Sequence, residues 1–374
     1  MVKGERMYSL KWCLLAGYAA VLSGCGGGTS VDQTSVMQEE QKKVLLPPEE
    51  GKLYFGAFPD FGGSEETVTV QRIRSFETLA GKKIAWAVFS QNWYSGIIYP
   101  KADIDAVVRS GATPYVRLMP RSDEIQGHAE QMFSMQHIID GMFDEALRRW
   151  AQAAKRDGIA LLMDFAVEAN GDWFPWSGVF NGAAGTDGYG DPNYPDGPER
   201  YRDAYRHIIN IFREENVTNV TWFYHFNLAS LPDEPWNQPM YYYPGDDYID
   251  WVGFSAYGPL QVTEEWEGLL FSEQLEANAG HIADLHTNKP FAVLEFGMTD
   301  HHPQGDKSVW FDDAFTTILD NPYITFRAIN PWHEDWENED ETLSTLRVDS
   351  SPEVLATFRE WIADERFISE LRFE

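Results

Sequence analysis

Short stretches rich in β-branched and aromatic residues alternate along this chain with longer stretches of helical period. The eight predicted strands are residues 53–58, 84–89, 113–119, 159–167, 220–226, 251–256, 291–296 and 324–329. The predicted helices are residues 68–79, 102–109, 143–156, 198–215, 272–285, 308–319 and 352–362. This alternation predicts an α/β fold of the (β/α)8 TIM-barrel type. A doubly wound open sheet is the structural alternative, but no glycine-rich phosphate loop follows the first strand, which disfavours its nucleotide-binding versions.

No internal repeat and no second linker interrupts this pattern, so residues 51–374 are predicted to form one domain. Two segments rich in proline, glycine and aromatic residues, 178–198 and 229–247, follow the fourth and fifth predicted strands. Loops after barrel strands lie at the C-terminal face, where barrel enzymes build their sites. We therefore expect these two segments to wall a cleft.

The first 25 residues have a different character from the rest of the chain. Basic residues precede an apolar run over residues 12–22, which ends in the sequence Leu-Ser-Gly-Cys at Cys25. A basic start before an apolar segment too short for an ordinary transmembrane helix is typical of an export signal. The ending resembles a bacterial lipobox, which implies cleavage before Cys25 and attachment of lipid to its thiol. We therefore predict a lipoprotein signal over 1–25 and a flexible tether over 26–50.

This interpretation predicts an exported bacterial lipoprotein, anchored at the outer membrane or at a periplasmic or cell-surface face. Cys13 would leave with the signal and Cys25 would carry lipid, so the mature chain would have no disulfide. A secretory signal with a free Cys25 is the alternative, and either Met1 or Met7 is the start.

Charge and aromatic content narrow the choice of partner. The formal net charge of −30 disfavours nucleic acid, because phosphate binding requires a basic surface, and it suits a neutral substrate. The aromatic fraction of 14% is compatible with carbohydrate binding, since ring faces stack on sugars, although core packing uses the same residues. We expect a monomer that binds a polysaccharide or oligosaccharide and no nucleic acid.

Two predicted strands end in an apolar run that is broken by one glutamate, Glu168 in the fourth and Glu295 in the seventh. The ends of strands 4 and 7 face each other across a barrel, and glycosidic cleavage commonly needs two carboxyl groups on opposite sides of the bond. The pair therefore predicts a retaining site, with carboxyls about 5 to 5.5 Å apart. We expect Glu295 to be ionised, and its charge and the apolar surroundings to raise the pKa of Glu168.

Other polar and aromatic side chains follow the predicted strands and are candidates for substrate binding: Trp173, Trp176, Asn170, Tyr257, Trp332, Arg117 and His225. The three tryptophans are candidate sugar platforms, with core packing as the alternative. Arg117 is expected to form a structural ion pair or to orient a catalytic carboxylate. His225 is expected to be a hydrogen-bonded core residue, with a role in the site as the alternative.

No metal and no organic cofactor is predicted. The adjacent His301 and His302 are the nearest approach to a metal motif, but neighbouring histidines in a strand or loop rarely point at one ion.

The stretch EANGDWFPW, which begins at Glu168, resembles the acid/base motif of glycoside hydrolase family 26, whose best-known members are endo-β-mannanases. The sequence LEFG around Glu295 resembles the nucleophile strand of the family, and residues 250–253 with Tyr257 resemble its sixth strand. The resemblance spans roughly residues 53–332. It implies Glu168 as general acid/base, Glu295 as nucleophile, and Tyr257 as a hydrogen-bond partner near Glu295.

One departure from the family pattern concerns the neighbours of the acid/base. Family mannanases usually have His before this glutamate and Met after it, whereas this chain has Val167 and Ala169. The missing imidazole leaves the substrate specificity open.

These patterns predict a retaining, endo-acting glycoside hydrolase with residues 51–374 as its catalytic domain. The predicted substrate is a β-linked polysaccharide of the β-mannan or galactomannan type. The alternatives are the same fold acting on β-1,3/1,4-glucan or xylan, and a non-catalytic glycan-binding surface lipoprotein.

Overall fold

The computed structural model of the protein describes residues 42–63, 65–265, 268–338 and 341–374. The predicted signal, Cys25 and residues 26–41 of the predicted tether lie outside the described residues. Residues 42–50 of that tether pack on the barrel: Leu45 is buried, pairs with Phe373, and accepts a hydrogen bond from the indole of Trp251 at 2.9 Å. The folded body therefore begins before residue 51.

All eight predicted strands are present, with bounds that differ by a few residues. They are β1 (Leu53–Phe55), β2 (Trp86–Asn92), β3 (Thr113–Met119), β4 (Leu161–Phe165), β5 (Val220–Asn227), β6 (Trp251–Tyr257), β7 (Phe291–Gly297) and β8 (Phe326–Pro331). Three further short strands are β9 (Asp335–Glu337), β10 (Leu343–Thr345) and β11 (Phe367–Ile368). The sequence did not predict these three, because two or three residues are too few to show a period.

The strands from β2 to β8 are parallel neighbours in chain order, and β8 pairs with β1. The sheet closes where Ala57, just after β1, bridges to Ala87 of β2, and the Ala57 N–H donates to the carbonyl of Trp86 at 3.1 Å. This closure and the sequential order confirm the (β/α)8 barrel and exclude the doubly wound sheet. β11 extends the sheet beyond β1, and β9 and β10 form an antiparallel hairpin after β8.

The helices cover the outside of the barrel. They are α1 (Val70–Ala80), α2 (Lys101–Ser110), α3 (Met135–Ile139), α4 (Asp144–Asp157), α5 (Asp196–Glu214), α6 (Pro239–Tyr242), α7 (Phe271–Ala277), α8 (Ala279–Ala283), α9 (Lys307–Asp320) and α10 (Pro352–Ile362). The single helix predicted over 272–285 is divided at Asn278, whose side-chain amide donates back to the carbonyl of Gln274 at 2.9 Å. Such a local hydrogen bond competes with the helical ladder. No helix in the described part of the chain combines the length and the apolar character that a membrane span requires.

Aromatic rings fill the lower part of the barrel. Trp86 of β2 lies 6.5 Å from Phe223 of β5, and Phe223 stacks on Trp251 of β6 at 5.6 Å between ring centroids. Contacts between strands that are not neighbours require that these rings point into the barrel. The polar side chains of the site lie above this layer, towards the carboxyl ends of the strands.

Candidate active site

Glu168 follows β4 in a backbone conformation that non-glycine residues rarely adopt. Ala166 and Glu168 both have positive φ, 52° and 56°. Two hydrogen bonds from neighbouring strands hold this turn, because the Ala166 N–H donates to Leu118 O and the Glu168 N–H donates to His225 O, both at 2.9 Å. Such strain persists where the surroundings fix it, and it is concentrated at functional sites.

Trp173 contacts the carboxyl group of Glu168 directly. Its indole N–H donates to Oε2 of Glu168 at 2.8 Å, and Glu168 itself is only 7% exposed. The half-buried ring of Trp173 also lines an open cavity of about 720 Å³, together with Asp172, Phe180 and Pro232. The ring is thus placed both to orient Glu168 and to meet a ligand.

Trp176 has a different position, which corrects its assignment as a sugar platform. Its side chain is fully buried, it stacks on Phe174 at 4.5 Å, and its indole N–H donates to the carbonyl of Val167 at 2.7 Å. A ring with no exposed face supports the turn that carries Glu168 and does not bind substrate.

The carboxyl group of Glu295, in β7, has a donor on each oxygen. Tyr257 at the end of β6 donates its hydroxyl to Oε2 at 2.8 Å, and Arg117 in β3 donates to Oε1. Burial raises the pKa of Glu295 to about 7, against the opposing effect of Arg117, and the charge of Glu168 adds to the rise. Burial thus raises the pKa of the residue that was predicted to stay ionised.

Three side chains accept hydrogen bonds from the guanidinium of Arg117. Its guanidinium donates to Ser90 Oγ at 2.7 Å and to the carboxylate of Glu65, in addition to Glu295. Its pKa is raised, because the charges of Glu65 and Glu295 outweigh burial. Its position confirms the expectation of an ion pair that orients a carboxylate.

Trp332, predicted as a sugar platform, packs on Arg117 and Phe58. One face of the ring stacks on Phe58 with centroids 3.9 Å apart and planes at 4°, and the guanidinium of Arg117 lies 4.7 Å from its centroid. The residue is 5% exposed. With Phe58 and Arg117 packed against it, the ring supports Arg117, and its role as a sugar platform stays a prediction.

Asn170 and His225 are buried, and the contacts they make are to the protein. Asn170 is 1% exposed, donates to the carbonyl of Asn227 at 2.8 Å, and accepts from the Asn227 N–H at 2.9 Å, so it joins the β4 loop to β5. His225 is 2% exposed and lies 3.0 Å from Oδ2 of Asp164 through Nδ1, which matches the expected core residue. Neither residue is placed to bind substrate directly.

Four side chains of this site were not predicted. They are Glu65, Ser90, Asp164 and Ser255. The sequence could have indicated Asp164 as a site residue, because it is the only acidic residue of the apolar predicted strand 159–167. Glu65 lies in a polar loop, and nothing in the neighbouring sequence indicates that it belongs to the site.

The side chains of His301 and His302 do not converge. His301 is exposed, whereas His302 is 4% exposed with Nε2 3.0 Å from the carbonyl of Glu264. In the ranges that the structure describes, no three or more His, Cys, Asp or Glu side chains are grouped as metal ligands.

The geometry brings two carboxyl groups near enough for the charge of one to act on the other. Glu168 follows β4, Glu295 ends β7, and the charge of Glu168 acts on the Glu295 carboxyl. One group carries an indole donor, and the other carries a tyrosine hydroxyl and a guanidinium. Two carboxyls with different partners are the arrangement that acid/base and nucleophilic roles require.

Known proteins resemble this chain in sequence. A sequence model of glycosyl hydrolase family 26 matches residues 122–285, which include Glu168. Endoglucanase H from Acetivibrio thermocellus is 28% identical over 293 residues, covering 78% of this chain and 29% of its own length. Mannan endo-1,4-beta-mannosidase A and B from Caldalkalibacillus mannanilyticus is 24% identical over 230 residues, covering 56% of this chain and 42% of its own length. The chain thus spans less than half the length of these two relatives.

Solved structures share the barrel. A beta-mannanase from a symbiotic protist of the termite Reticulitermes speratus superimposes with a TM-score of 0.55 at 15% identity, covering 85% of this chain and 88% of that one. The GH26 domain of an endo-beta-mannanase/endo-beta-glucanase from Prevotella bryantii gives a TM-score of 0.54 at 16% identity, covering 85% and 91%. At these identities the likeness concerns the fold alone. The matched family model and the sequence relatives confirm the resemblance first found around Glu168: the chain is similar to glycosyl hydrolase family 26.

Proposed function

We propose that the chain cleaves internal bonds of a β-linked polysaccharide with retention of configuration, with β-mannan or galactomannan as the first candidate substrate. The observation that carries this proposal is the pair of carboxyls at the ends of β4 and β7, each with its own donors. The names of the relatives, which include mannan endo-1,4-beta-mannosidases, support the class of substrate.

The reaction would proceed in two displacements. First, Glu295 attacks the anomeric carbon, the bond to the leaving oxygen breaks, and Glu168 gives its proton to that oxygen. Second, Glu168 removes a proton from water, the water oxygen attacks the anomeric carbon, and the ester bond to Glu295 breaks. The second step returns the proton to Glu168 and frees the carboxylate of Glu295.

The partners of each carboxyl fit these roles. Arg117 and Tyr257 hold both oxygens of Glu295, so the attacking carboxylate needs no reorientation. Only the ionised form attacks, and burial places the pKa of Glu295 at about 7. Trp173 donates to Glu168 and also lines the open cavity, where the leaving part of the substrate would lie.

The direct test compares Glu168→Gln and Glu295→Gln on mannan, galactomannan, mixed-linkage glucan and xylan, with release of reducing ends as the measurement. Each substitution is expected to reduce kcat by about 10² to 10⁴-fold. Glu77→Gln on α1, whose carboxylate accepts from the Ile84 N–H at 3.2 Å, is the matched control and is expected to keep the rate.

Two measurements address retention and turnover. NMR of the first product is expected to show the β anomer, and an α anomer would contradict the retaining mechanism. Unchanged hydrolysis in both glutamine variants would reject the catalytic assignment, and binding without any product would favour a glycan-binding protein.

A β-glucan is the second candidate substrate, because Endoglucanase H matches 78% of the chain at 28% identity. The same panel separates the two candidates. A higher kcat/KM on mixed-linkage glucan than on mannan would select the glucan.

We also propose that the chain is exported and anchored to a membrane by lipid on Cys25, on the basis of the apolar run and the Leu-Ser-Gly-Cys ending. Labelled palmitate is expected to be incorporated by the wild type in a bacterial host and not by Cys25→Ser. Equal labelling of both would reject the lipid anchor.

A further inference from the structure

A layer of buried polar side chains lies inside the barrel on strands β3 to β6. His225 of β5 is hydrogen-bonded through both ring nitrogens. Nδ1 lies 3.0 Å from Asp164 Oδ2 of β4, and Nε2 lies 2.8 Å from Ser255 Oγ of β6. Tyr115 of β3 donates its hydroxyl to the same oxygen of Asp164 at 3.1 Å. His225, Asp164 and Ser255 are each exposed by 2% or less. The reaction steps above do not use any of them.

This layer is joined to both glutamates through the strands. Ser255 lies opposite Glu295 in the register of β6 and β7, so the chain of contacts runs from β4 through β5 and β6 to the strand of the nucleophile. The backbone carbonyl of His225 accepts the Glu168 N–H at 2.9 Å. A change in the charge of His225 therefore acts on the carboxyl group of Glu295.

The surroundings of His225 favour its charged form. Burial alone lowers the pKa of the imidazole, but the hydrogen bond that the ring donates to Asp164 and the charges of Glu295, Asp164 and Glu168 outweigh burial, so the pKa is raised above its usual value. Tyr115 and Ser255 are the uncharged groups in contact with this pair. Arg117 of β3 is the other cation near this layer, and it is paired with Glu65 and Glu295.

We propose that Asp164, His225 and Ser255 are positioning residues that hold an imidazolium near Glu295, so that two cations, His225 and Arg117, act on the proposed nucleophile. As an imidazolium, His225 donates from both nitrogens, to Asp164 and to Ser255 Oγ. Its charge favours the carboxylate form of Glu295 and offsets part of the effect of burial. The kinetic consequence rests on the proposed function, whereas the charge state of His225 does not.

The first test needs no substrate. The chain is labelled with ¹⁵N-histidine, and the signals of His225 are assigned by their loss in His225→Gln. The ring is expected to remain protonated at about pH 7, above the usual histidine value of about 6.5. In Asp164→Asn the amide keeps the shape of the side chain and removes its charge, so His225 is expected to titrate at least about one pH unit lower. A ring that is mostly neutral at pH 7 in the wild type would overturn the proposal.

The second test is kinetic. In Asp164→Asn the acidic limb of the kcat/KM profile is expected to move to higher pH by about half a unit to one unit, with little change in KM, because Glu295 loses a nearby cation. Ser255→Ala, which removes one partner of the imidazolium, is expected to move the limb in the same direction by less. Asp313→Asn, which removes a carboxylate that accepts from Ser272 N at 2.8 Å between the outer helices, is the matched control.

The two tests have distinguishable failures. A protonated His225 in a chain that hydrolyses no polysaccharide would leave the imidazolium in place and reject the proposed function. A protonated His225 with an acidic limb that stays unchanged in Asp164→Asn would reject the positioning role. If Asp164→Asn does not fold, the wild-type titration and the Ser255→Ala profile decide the question.

Discussion

Glu295 has to be buried and yet able to ionise. Burial raises its pKa to about 7, while Arg117 and the hydroxyl of Tyr257 stabilise the carboxylate. A hydrogen bond to a charged group is worth about 1.5 to 3 kcal/mol, so each donor has a measurable effect on the pKa. We therefore expect the pH range of the proposed activity to depend on single hydrogen bonds to this one side chain.

Tyr257→Phe removes one of those donors and keeps the ring. The pKa of Glu295 is expected to rise by about one unit, so the acidic limb of kcat/KM moves to higher pH, since the carboxylate must be ionised to attack. The pH profile of hydrolysis measures this shift. Tyr243→Phe, which loses a hydroxyl bonded to Asp246 at 2.6 Å, serves as the control, and an equal shift in both variants would contradict the role of Tyr257.

Val167 is the residue at which the chain departs from the family pattern, and its side chain is fully buried. It lies in the turn between Ala166 and Glu168, and its carbonyl accepts the indole N–H of Trp176 at 2.7 Å. A buried side chain cannot contact the substrate. The substrate specificity that this departure left open is therefore set by other residues of the cleft.

Among the structural elements, the turn after β4 depends on Trp176. Two residues with positive φ are held there by hydrogen bonds from outside the turn, and the indole of Trp176 supplies one of them. Because strained backbone relaxes when its supports are removed, the position of Glu168 should depend on that indole.

Trp176→Phe tests this dependence, because it keeps an aromatic ring and removes the N–H. The free energy of unfolding is expected to fall by about 1 to 3 kcal/mol, and kcat is expected to fall about 10-fold or more with little change in KM. Denaturant unfolding and steady-state kinetics are the measurements. Trp361→Phe on α10, whose indole donates to Asp312 at 2.9 Å, should lose stability without losing activity.

The approach of β6 to β7 depends on Gly253. A Cβ atom at this position would lie 2.5 Å from Leu294 Cγ and 2.7 Å from the carbonyl oxygen of Ala292. Both neighbours belong to the strand that carries Glu295. The close contact of the two strands therefore leaves no room for a side chain.

Gly253→Ala is expected to lower the free energy of unfolding by about 1 to 3 kcal/mol, through overpacking, and to reduce kcat because β7 shifts. Gly280→Ala on α8 is the matched control, since a Cβ there meets nothing within 4 Å. That variant should be neutral or more stable by up to about 1 kcal/mol. Thermal unfolding compares the two, and equal effects would contradict the packing argument.

At the scale of the whole molecule, the burial of Glu334 lowers the free energy of unfolding by an amount that depends on pH. Glu334, just after β8, is 7% exposed, and burial raises its pKa to about 8, helped by the charges of Glu65 and Asp60. The folded state then keeps a proton that the unfolded state loses between about pH 4.5 and 8. Stability is therefore expected to fall as the pH rises through this range.

Glu334→Gln has no charge to bury, so it is expected to be more stable than the wild type by on the order of 2 to 4 kcal/mol at about pH 8.5. At about pH 4 the wild-type side chain is neutral in both states, and the difference should disappear. Urea unfolding at the two pH values measures both. The exposed Glu370→Gln is the control, and a gain for Glu334→Gln that does not depend on pH would contradict the linkage.

The sequence by itself determined the order of the barrel strands and the two glutamates. Hydrophobic period is a local property, and the residues that follow a barrel strand must reach its C-terminal face. The apolar runs that end at Glu168 and Glu295 therefore indicated both the fold and the pair of carboxyls that we propose to react. The position of Tyr257 next to Glu295 followed from the resemblance.

Only the tertiary structure decided which aromatic rings are buried and which charged side chains are paired near the two glutamates. Trp173, Trp176 and Trp332 are the same residue type, but Trp173 is half-buried, Trp176 is fully buried against Phe174, and Trp332 packs against Phe58 and Arg117. Glu65 and Asp164 acquire their roles in the same way, from partners far away in the sequence. Burial and pairing are set by residues that only folding brings together, and no local pattern records them.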